Sequence, residues 1–411
     1  MINKDKVYAF LLGINIKPHD DTELTELQLL AKTAGAEIVG MTVQNRTKID
    51  SAYYVGRGKA EEIAAAVNTL NANVIICDDE LSPVQIRNLE DLTETKIVDR
   101  TMLILDIFAQ RANTSEGKIQ VELAQLQYMM PRLTGKGIEL SQEGGGIGTR
   151  GPGETKLETD RRHIRRRVHR LKGELSGIRK SRQVIIKSRK LPVISLVGYT
   201  NAGKSTLMNV LTGASVVTGD RLFETLDTTT RRLHISDGRK ILLSDTVGFI
   251  RKLPHHLVEA FKATLEEVKE ADMLIHVADG SSPQMEEEIK TVNSVLLDIG
   301  VDNKPIILAI NKIDKRNTKN RFIRKNGDDK TIEISALNRT NLDGLLELIS
   351  KYLPSNRKYA ELFIPYDDAG TLDKIHRNSE IDDIKYKFDG IKITGNVDKA
   401  VLNEFEKYIL R

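Results

Sequence analysis

The stretch Gly198-Tyr199-Thr200-Asn201-Ala202-Gly203-Lys204-Ser205 constrains this chain more than any other. It fits G-x-x-x-x-G-K-[ST], the phosphate-binding loop. An apolar run, Val193-Ile194-Ser195-Leu196-Val197, leads into it and reads as a buried strand. Thr206-Leu207-Met208-Asn209-Val210-Leu211 follows and reads as a helix. A strand turning sharply into a helix is the context this pattern requires. Glycines let successive backbone N–H groups curl around a phosphate without Cβ clashes, and the helix N-terminus adds partial positive charge. In such a loop the lysine, here Lys204, reaches the β- and γ-phosphates, and the hydroxyl, here Ser205, holds Mg²⁺. The bland alternative is a chance glycine turn. Three further motifs at suitable distances weigh against it.

The first is a threonine-rich segment, Leu222-Phe223-Glu224-Thr225-Leu226-Asp227-Thr228-Thr229-Thr230, joined to Asp245-Thr246-Val247-Gly248 through a hairpin signalled by Ser236-Asp237-Gly238-Arg239. An aspartate at a strand end reaches Mg²⁺ through water, and the Gly248 N–H can approach a γ-phosphate closely. The second is Asn311-Lys312-Ile313-Asp314, after the apolar run Pro305 to Ile310. A carboxylate at Asp314 can accept from N1–H and the 2-amino group of guanine. Adenine has neither donor there, so a buried carboxylate would be left unpaired. Asn311 and the Lys312 stem can steady the base. The third is Ser335-Ala336-Leu337, whose Ala336 N–H can donate to guanine O6. The order of these motifs implies a GTPase. Lys204, Thr225 and Gly248 are its expected catalytic residues, and Ser205 and Thr225 its metal ligands.

The chain's 411 residues suffice for roughly two to three domains. Its single cysteine, Cys77, lies in the apolar run Val74-Ile75-Ile76-Cys77, so it forms no internal disulfide and no cysteine metal site. A buried, inert thiol in a reducing cytosol is expected. No apolar run approaches the ~18 residues of a membrane span. Met1-Ile2-Asn3-Lys4-Asp5-Lys6 lacks the apolar core of a secretory signal.

Residues 1–112 alternate short apolar runs with helical patterns, which implies a mostly parallel α/β sheet with crossover helices. Within them Gly56-Arg57-Gly58-Lys59 precedes a helix. A nucleotide site, a contact to nucleic-acid backbone and a plain turn are all open there. Residues 113–190 carry two apolar stripes, Ile119 to Leu133 and Ile164 to Ile178. These read as an antiparallel helical hairpin, with Pro131 kinking or ending the first helix. Between them Gly135 to Gly153 holds eight glycines in nineteen residues and reads as irregular. Loops of this length are usually functional or disordered.

Net charge is only +4, but it is unevenly spread. From Arg161 to Lys190 there are thirteen Lys/Arg and one acid, Glu174. A solvated helix face is the usual reading of a charge run. Without balancing acids, contact with nucleic acid is the stronger one. Residues 191–354 form the nucleotide-binding (G) domain, and 355–411 read as a small α+β domain without recognisable chemistry. The whole is a multidomain α/β protein.

The stretch from Gly144 to Arg162, GGGIGTRGPGETKLETDRR, resembles the HflX GTPases of the Obg-like translation-factor group. So do Tyr54 to Lys59, Met130-Pro131-Arg132-Leu133, Leu222 to Arg231 and Asp245 to Ile250. The resemblance covers residues 1 to about 354 well and the tail loosely. It implies a cytoplasmic, monomeric enzyme that docks on the large (50S-type) ribosomal subunit and its rRNA, and that uses GTP and Mg²⁺ to split or rescue ribosomes. Loose membrane association stays open. Asn201 matches the position that binds K⁺ in related GTPases. Family members have been discussed as users of ATP through the N-terminal domain. The first-switch metal threonine is Thr225 by that resemblance, whereas Ras-like spacing would favour Thr229. Phe249 stands where Ras-like enzymes carry a water-orienting glutamine, so slow basal hydrolysis open to activation is expected. His255 and His256 are weak candidates for that role. The competing class is a GTP-gated scaffold whose basic helix meets a protein or acidic lipid headgroups.

Overall fold

Short buried strands alternating with amphipathic helices can satisfy both faces of a parallel sheet only by crossing over it. The N-terminal part does this. Strands β1 (Tyr8–Asn15), β2 (Glu37–Asn45), β3 (Val74–Cys77) and β4 (Lys96–Asp99) form a parallel sheet in the order β2-β1-β3-β4. Helices α1 (Thr25–Thr33), α2 (Arg57–Leu70), α3 (Pro83–Thr93) and α4 (Arg100–Arg111) follow them in turn. Two of the four starts are chemically marked. Ser82 and Gln85 make a reciprocal capping box with Pro83 at the first turn of α3, and Asp99 caps α4 through the Met102 N–H. The computed structural model describes residues 6–16, 24–134, 152–187, 191–213, 222–223, 229–236, 239–252, 262–301, 304–316, 329–353 and 357–410.

Helix α5 (Ser115–Met129) ends in a 3-10 turn, Met130–Thr134, at Pro131 as anticipated. Its partner α6 (Pro152–Lys187) runs 36 residues and takes up Pro152 and Gly153, which the sequence alone places in the irregular stretch; the rest of that stretch, 135–151, lies outside the described residues. A proline suits a first helical turn, where its missing N–H goes unneeded. Ile119, Leu123 and Leu126 of α5 meet Val168, Leu171 and Leu175 of α6. Arg167 adds a bidentate bond to Glu122, 2.5 and 2.7 Å, across the hairpin.

The following part holds a six-stranded sheet ordered β10-β9-β8-β5-β7-β6. Its strands are β5 (Val193–Gly198), β6 (Thr229–His234), β7 (Lys240–Asp245), β8 (Met273–Asp279), β9 (Ile306–Asn311) and β10 (Thr331–Glu333). Only β6 runs antiparallel, paired with β7. Helices α7 (Lys204–Thr212), α8 (Lys262–Glu270), α9 (Met285–Asp298) and α10 (Leu342–Tyr352) accompany it. The tail folds as an antiparallel sheet, β11 (Arg357–Pro365), β12 (Ser379–Lys387) and β13 (Gly390–Asp398), in the order β11-β13-β12. It packs on helices α11 (Leu372–Asn378) and α12 (Lys399–Glu404). Among the described residues no helix is long and apolar enough to cross a membrane.

One apolar cluster is shared by the two parallel-sheet parts. Leu27, Leu30, Ile104 and Phe108 from the N-terminal sheet's helices join Leu222, Phe223, Phe249 and Ile250. The Phe108 and Phe223 rings meet edge to face at 4.6 Å, an arrangement worth ~0.5–1.5 kcal/mol beyond area burial. By sequence, Phe249 is notable only as a missing water ligand. Its ring is in fact a buried link between the two sheets.

Candidate functional site

Strand β5, in the interior of the sheet, carries the phosphate loop at its C-terminal end, where Gly198 and Gly203 take positive φ angles of 154° and 91°. Both are also sterically required. A Cβ on Gly198 would come within 2.2 Å of the Val277 carbonyl oxygen, and one on Gly203 within 2.3 Å of Asn311 Nδ2. Lys204 opens α7, and its buried ammonium donates to the Gly198 and Tyr199 carbonyls at 3.1 and 2.8 Å. Burial lowers its pKa to about 8, with the Asp245 carboxylate opposing the shift. Beneath the loop, His276 on β8 is held neutral. Burial and then the Lys204 charge push it down to about 4.

Ser205 Oγ donates to Asp245 Oδ2 at 2.7 Å, so a hydroxyl from α7 and a carboxylate from the end of β7 meet. Two hard oxygen donors at the base of an anion-binding loop fit Mg²⁺. Thr246 turns its hydroxyl to the Leu196 carbonyl, 2.7 Å. Val247 packs against the shared apolar cluster. Gly248 passes so close to the loop that a Cβ would meet Thr200 Cα at 2.8 Å and Lys204 Nζ at 3.0 Å. Just beyond, the Thr200 N–H donates to the Phe249 carbonyl and the Phe249 N–H to the Gly198 carbonyl, at 2.7 and 3.1 Å. The D-x-x-G segment and the residues just after it, 245–251, here called the second switch, are thereby zipped onto the phosphate loop by two backbone bonds.

Asn311 clasps the base side. Its Nδ2 donates to the Ala202 carbonyl and its Oδ1 accepts from the Ala336 N–H, both at 2.9 Å. The Ala336 N–H, expected to meet guanine O6, is thus engaged by Asn311 in this structure. Lys312, at φ 62°, reaches Asp279 at 2.8 Å. Asp314 accepts from Ser335 Oγ at 2.5 Å and is exposed. The penalty for an unpaired carboxylate therefore arises only once a base covers it. Ile313 sits in the short turn that presents Asp314, and Leu337 is largely exposed beside Ala336. Asn201, also at positive φ, lies at the lip of the loop. Of the threonine-rich segment, Glu224, Thr225, Leu226 and Asp227 lie outside the described residues, as do His255 and His256. Thr229 opens β6 directly opposite Asp245.

A cavity of about 220 Å³ beside the loop is lined by Tyr199, Thr200, Asn201 and Arg251, and by Glu26 of α1. Glu26 accepts from Tyr199 Oη at 2.6 Å and pairs with Arg251 at 3.3 Å and Arg100 at 3.1 Å. Arg100 also holds Asp78 at 2.6 Å, and Lys252 reaches Asp78 and Asp79 at 2.8 and 2.7 Å. None of these partners was anticipated. Asp279, at the end of β8, carries a signal that could have been noticed, because polar groups at carboxyl ends of parallel strands line ligand crevices.

Elsewhere Gly56-Arg57-Gly58-Lys59 caps α2. The Gly56 N–H donates to Gln44 at 2.9 Å, and Arg57 and Lys59 pair with Glu61 and Glu62 on the same helix. These bonds favour the plain-turn reading.

A strand-to-helix phosphate loop, a D-x-x-G segment and an N-K-x-D loop around one end of a doubly wound sheet define a P-loop GTPase. Residues 193–312 match a family model described as a 50S ribosome-binding GTPase. Residues 21–109 and 111–189 match the N-terminal and middle regions of GTP-binding GTPases. The GTPase HflX of Caldanaerobacter subterraneus subsp. tengcongensis is 47% identical over 410 residues, 99% of this chain and 95% of that protein. The GTPase HflX of Escherichia coli is 49% identical over 310 residues, 74% of this chain and 73% of that protein. A solved GTP-binding protein from Sulfolobus solfataricus in complex with GDP is 29% identical, with a TM-score of 0.46, covering 85% of this chain and 98% of that one. The chain belongs to the HflX GTPase family.

Proposed function

We propose that this enzyme hydrolyses GTP at the loop 198–205 while docked on the large ribosomal subunit, and that hydrolysis accompanies splitting or rescue of stalled ribosomes in the cytoplasm. GTP would lie with its β- and γ-phosphates on Lys204 and the loop N–H groups, and its base between Asn311, Lys312, Asp314 and Ser335 to Leu337. Ser205 and Thr225 would hold Mg²⁺, with Asp245 behind Ser205. The ion supplies charge neutralisation on the phosphate oxygens when bound. Asn201 would offer its side-chain oxygen to K⁺. Gly248 would give its N–H to the γ-phosphate, which requires the Phe249 zipper to open. Opening it moves Phe249 out of the shared apolar cluster and so couples nucleotide state to the N-terminal sheet.

The single observation that carries the ribosome reading is the outer face of α6. Arg162, Arg165, Arg166 and Lys172 are exposed there. The first three have no ion pair within the described residues. A rigid arm with free arginines suits RNA, where phosphate contacts dominate. Arg167 and Arg170 are excepted, because they pair with Glu122 and Glu174. Co-sedimentation with isolated subunits and with anionic liposomes tests the reading. GTP-dependent pelleting with large subunits supports it, and pelleting only with liposomes would instead favour the scaffold class.

A further inference from the structure

We infer that Arg251 is a built-in arginine finger, a catalytic residue of the second switch that Glu26 of the N-terminal sheet holds away from the γ-phosphate. The second switch carries no other polar side chain beside the loop among the residues just after Gly248 that could serve the reaction. Phe249 brings no polar atom to the reaction, and its ring is buried. During hydrolysis a water oxygen bonds to the γ-phosphorus and the bond to the β,γ-bridging oxygen breaks. The leaving electron pair stays on the β-phosphate, and the water proton ends on the released phosphate. Negative charge shifts toward the bridging oxygen, and a planar guanidinium matches two phosphate oxygens at once.

Three cations of the described residues crowd the seam, and they differ in how firmly they are held. Arg100 is fully buried, and its guanidinium is committed to Glu26, Asp78 and the Arg251 carbonyl. Lys252 is paired with two carboxylates, Asp78 and Asp79. Arg251 is a third exposed, and its guanidinium has one close carboxylate, Glu26, with Glu287 only at 4.0 Å. It shares its cavity with Tyr199, Thr200 and Asn201 of the phosphate loop. It also stands three residues after Gly248, at most about 10 Å of extended chain, and Gly248 already lies against Lys204 Nζ.

Release costs little. When Arg251 leaves, Glu26 keeps Arg100 at 3.1 Å and the Tyr199 hydroxyl at 2.6 Å, so no buried charge is stranded. The Arg251 N–H donates to the same Tyr199 hydroxyl, 2.7 Å, which ties the finger's backbone to the loop it would serve. Supplied fingers of this kind are worth on the order of 10³–10⁵ in turnover.

The inference rests on loop 198–205 being the triphosphate site, so GDP affinity of every variant is measured alongside and reports on that site separately. The test uses the full chain. Glu26→Gln weakens the tether while leaving Arg251 in place, and single-turnover GTP hydrolysis is compared between wild type, E26Q and the double variant E26Q/R251A. Formation of the GDP–aluminium fluoride complex is compared between E26Q, E26Q/R251A and E26Q/R251K. E26Q faster than wild type, a double variant at least tenfold slower than E26Q with GDP affinity kept, and a fluoride complex lost in E26Q/R251A but partly retained in E26Q/R251K are the expected results. Equal rates in E26Q and E26Q/R251A, or an undiminished fluoride complex in E26Q/R251A, would overturn the assignment and leave Arg251 as a tether only.

Discussion

Replacing Asn311 with alanine should loosen the whole base side of the nucleotide site. The side chain makes two bonds to buried backbone, donating to the Ala202 carbonyl and accepting from the Ala336 N–H, both at 2.9 Å. Ala202 and Ala336 are almost wholly buried, so water cannot easily replace either bond. A buried backbone group left unsatisfied costs about 1–3 kcal/mol, so the two together amount to about 2–6 kcal/mol. One part should appear as lost stability. At roughly 2–4 °C per kcal/mol for a domain of this size, the share of one unsatisfied group, about 1–3 kcal/mol, should lower the nucleotide-free melting temperature by at least about 2 °C. The other part should appear as lost affinity, because the two loops are no longer held at the spacing a base requires. A loss of about 1.4 kcal/mol already weakens binding tenfold. Asn311→Asp should do no better than alanine. It restores an acceptor for Ala336 but turns a carboxylate oxygen on the Ala202 carbonyl. Fluorescent-GDP titration and thermal melts measure both parts. An alanine variant within threefold of wild-type affinity and with an unchanged melting temperature would refute the clasp.

Asp314→Asn should weaken GTP binding and shift preference toward xanthosine triphosphate, which presents an acceptor where guanine has its amino group; unchanged GTP affinity would remove Asp314 as the base reader. GTP affinity should fall as pH rises above about 8, the value to which burial lowers Lys204. The ammonium form binds the phosphates and raises its own pKa in doing so, so the loss is at most about tenfold per pH unit; a flat profile from pH 7 to 10 would contradict this. Replacing Arg162, Arg165 and Arg166 with alanine should weaken subunit binding and flatten its logarithmic salt dependence, by about 0.7–0.9 for each phosphate no longer neutralised. Hydrolysis by the free enzyme should be unaffected. An identical salt series for the variant and the wild type would sink the RNA reading of α6.

What could be read from the sequence was local. The phosphate loop, the D-x-x-G segment and the N-K-x-D loop each place their chemistry on a few consecutive backbone groups, so spacing alone shows them. The βα alternation of the N-terminal sheet and the paired stripes of α5 and α6 were legible for the same reason. The seam was not. Glu26 meets Arg251 across 225 residues and Lys252 meets Asp78 across 174, and a lone acid on an amphipathic helix looks like any solvated side chain. Phe249 misled in a different way. Against a glutamine template it registers as a missing group, whereas packing makes it the bolt between two sheets. The basic run of α6 was visible as charge, but only the fold separates Arg167, tied to Glu122, from arginines that face outward.

The most direct test of ribosome-triggered hydrolysis is single-turnover GTP cleavage with and without saturating large ribosomal subunits. The second switch is zipped to the phosphate loop and bolted into the N-terminal sheet, so the free enzyme should be slow. Docking the N-terminal sheet and arm on the subunit should release the switch. A rise of 10- to 1,000-fold corresponds to about 1.4–4 kcal/mol of barrier, and Lys204→Ala should abolish hydrolysis in either state. Equal rates with and without large subunits would contradict the coupling, because the switch would then answer to the nucleotide alone.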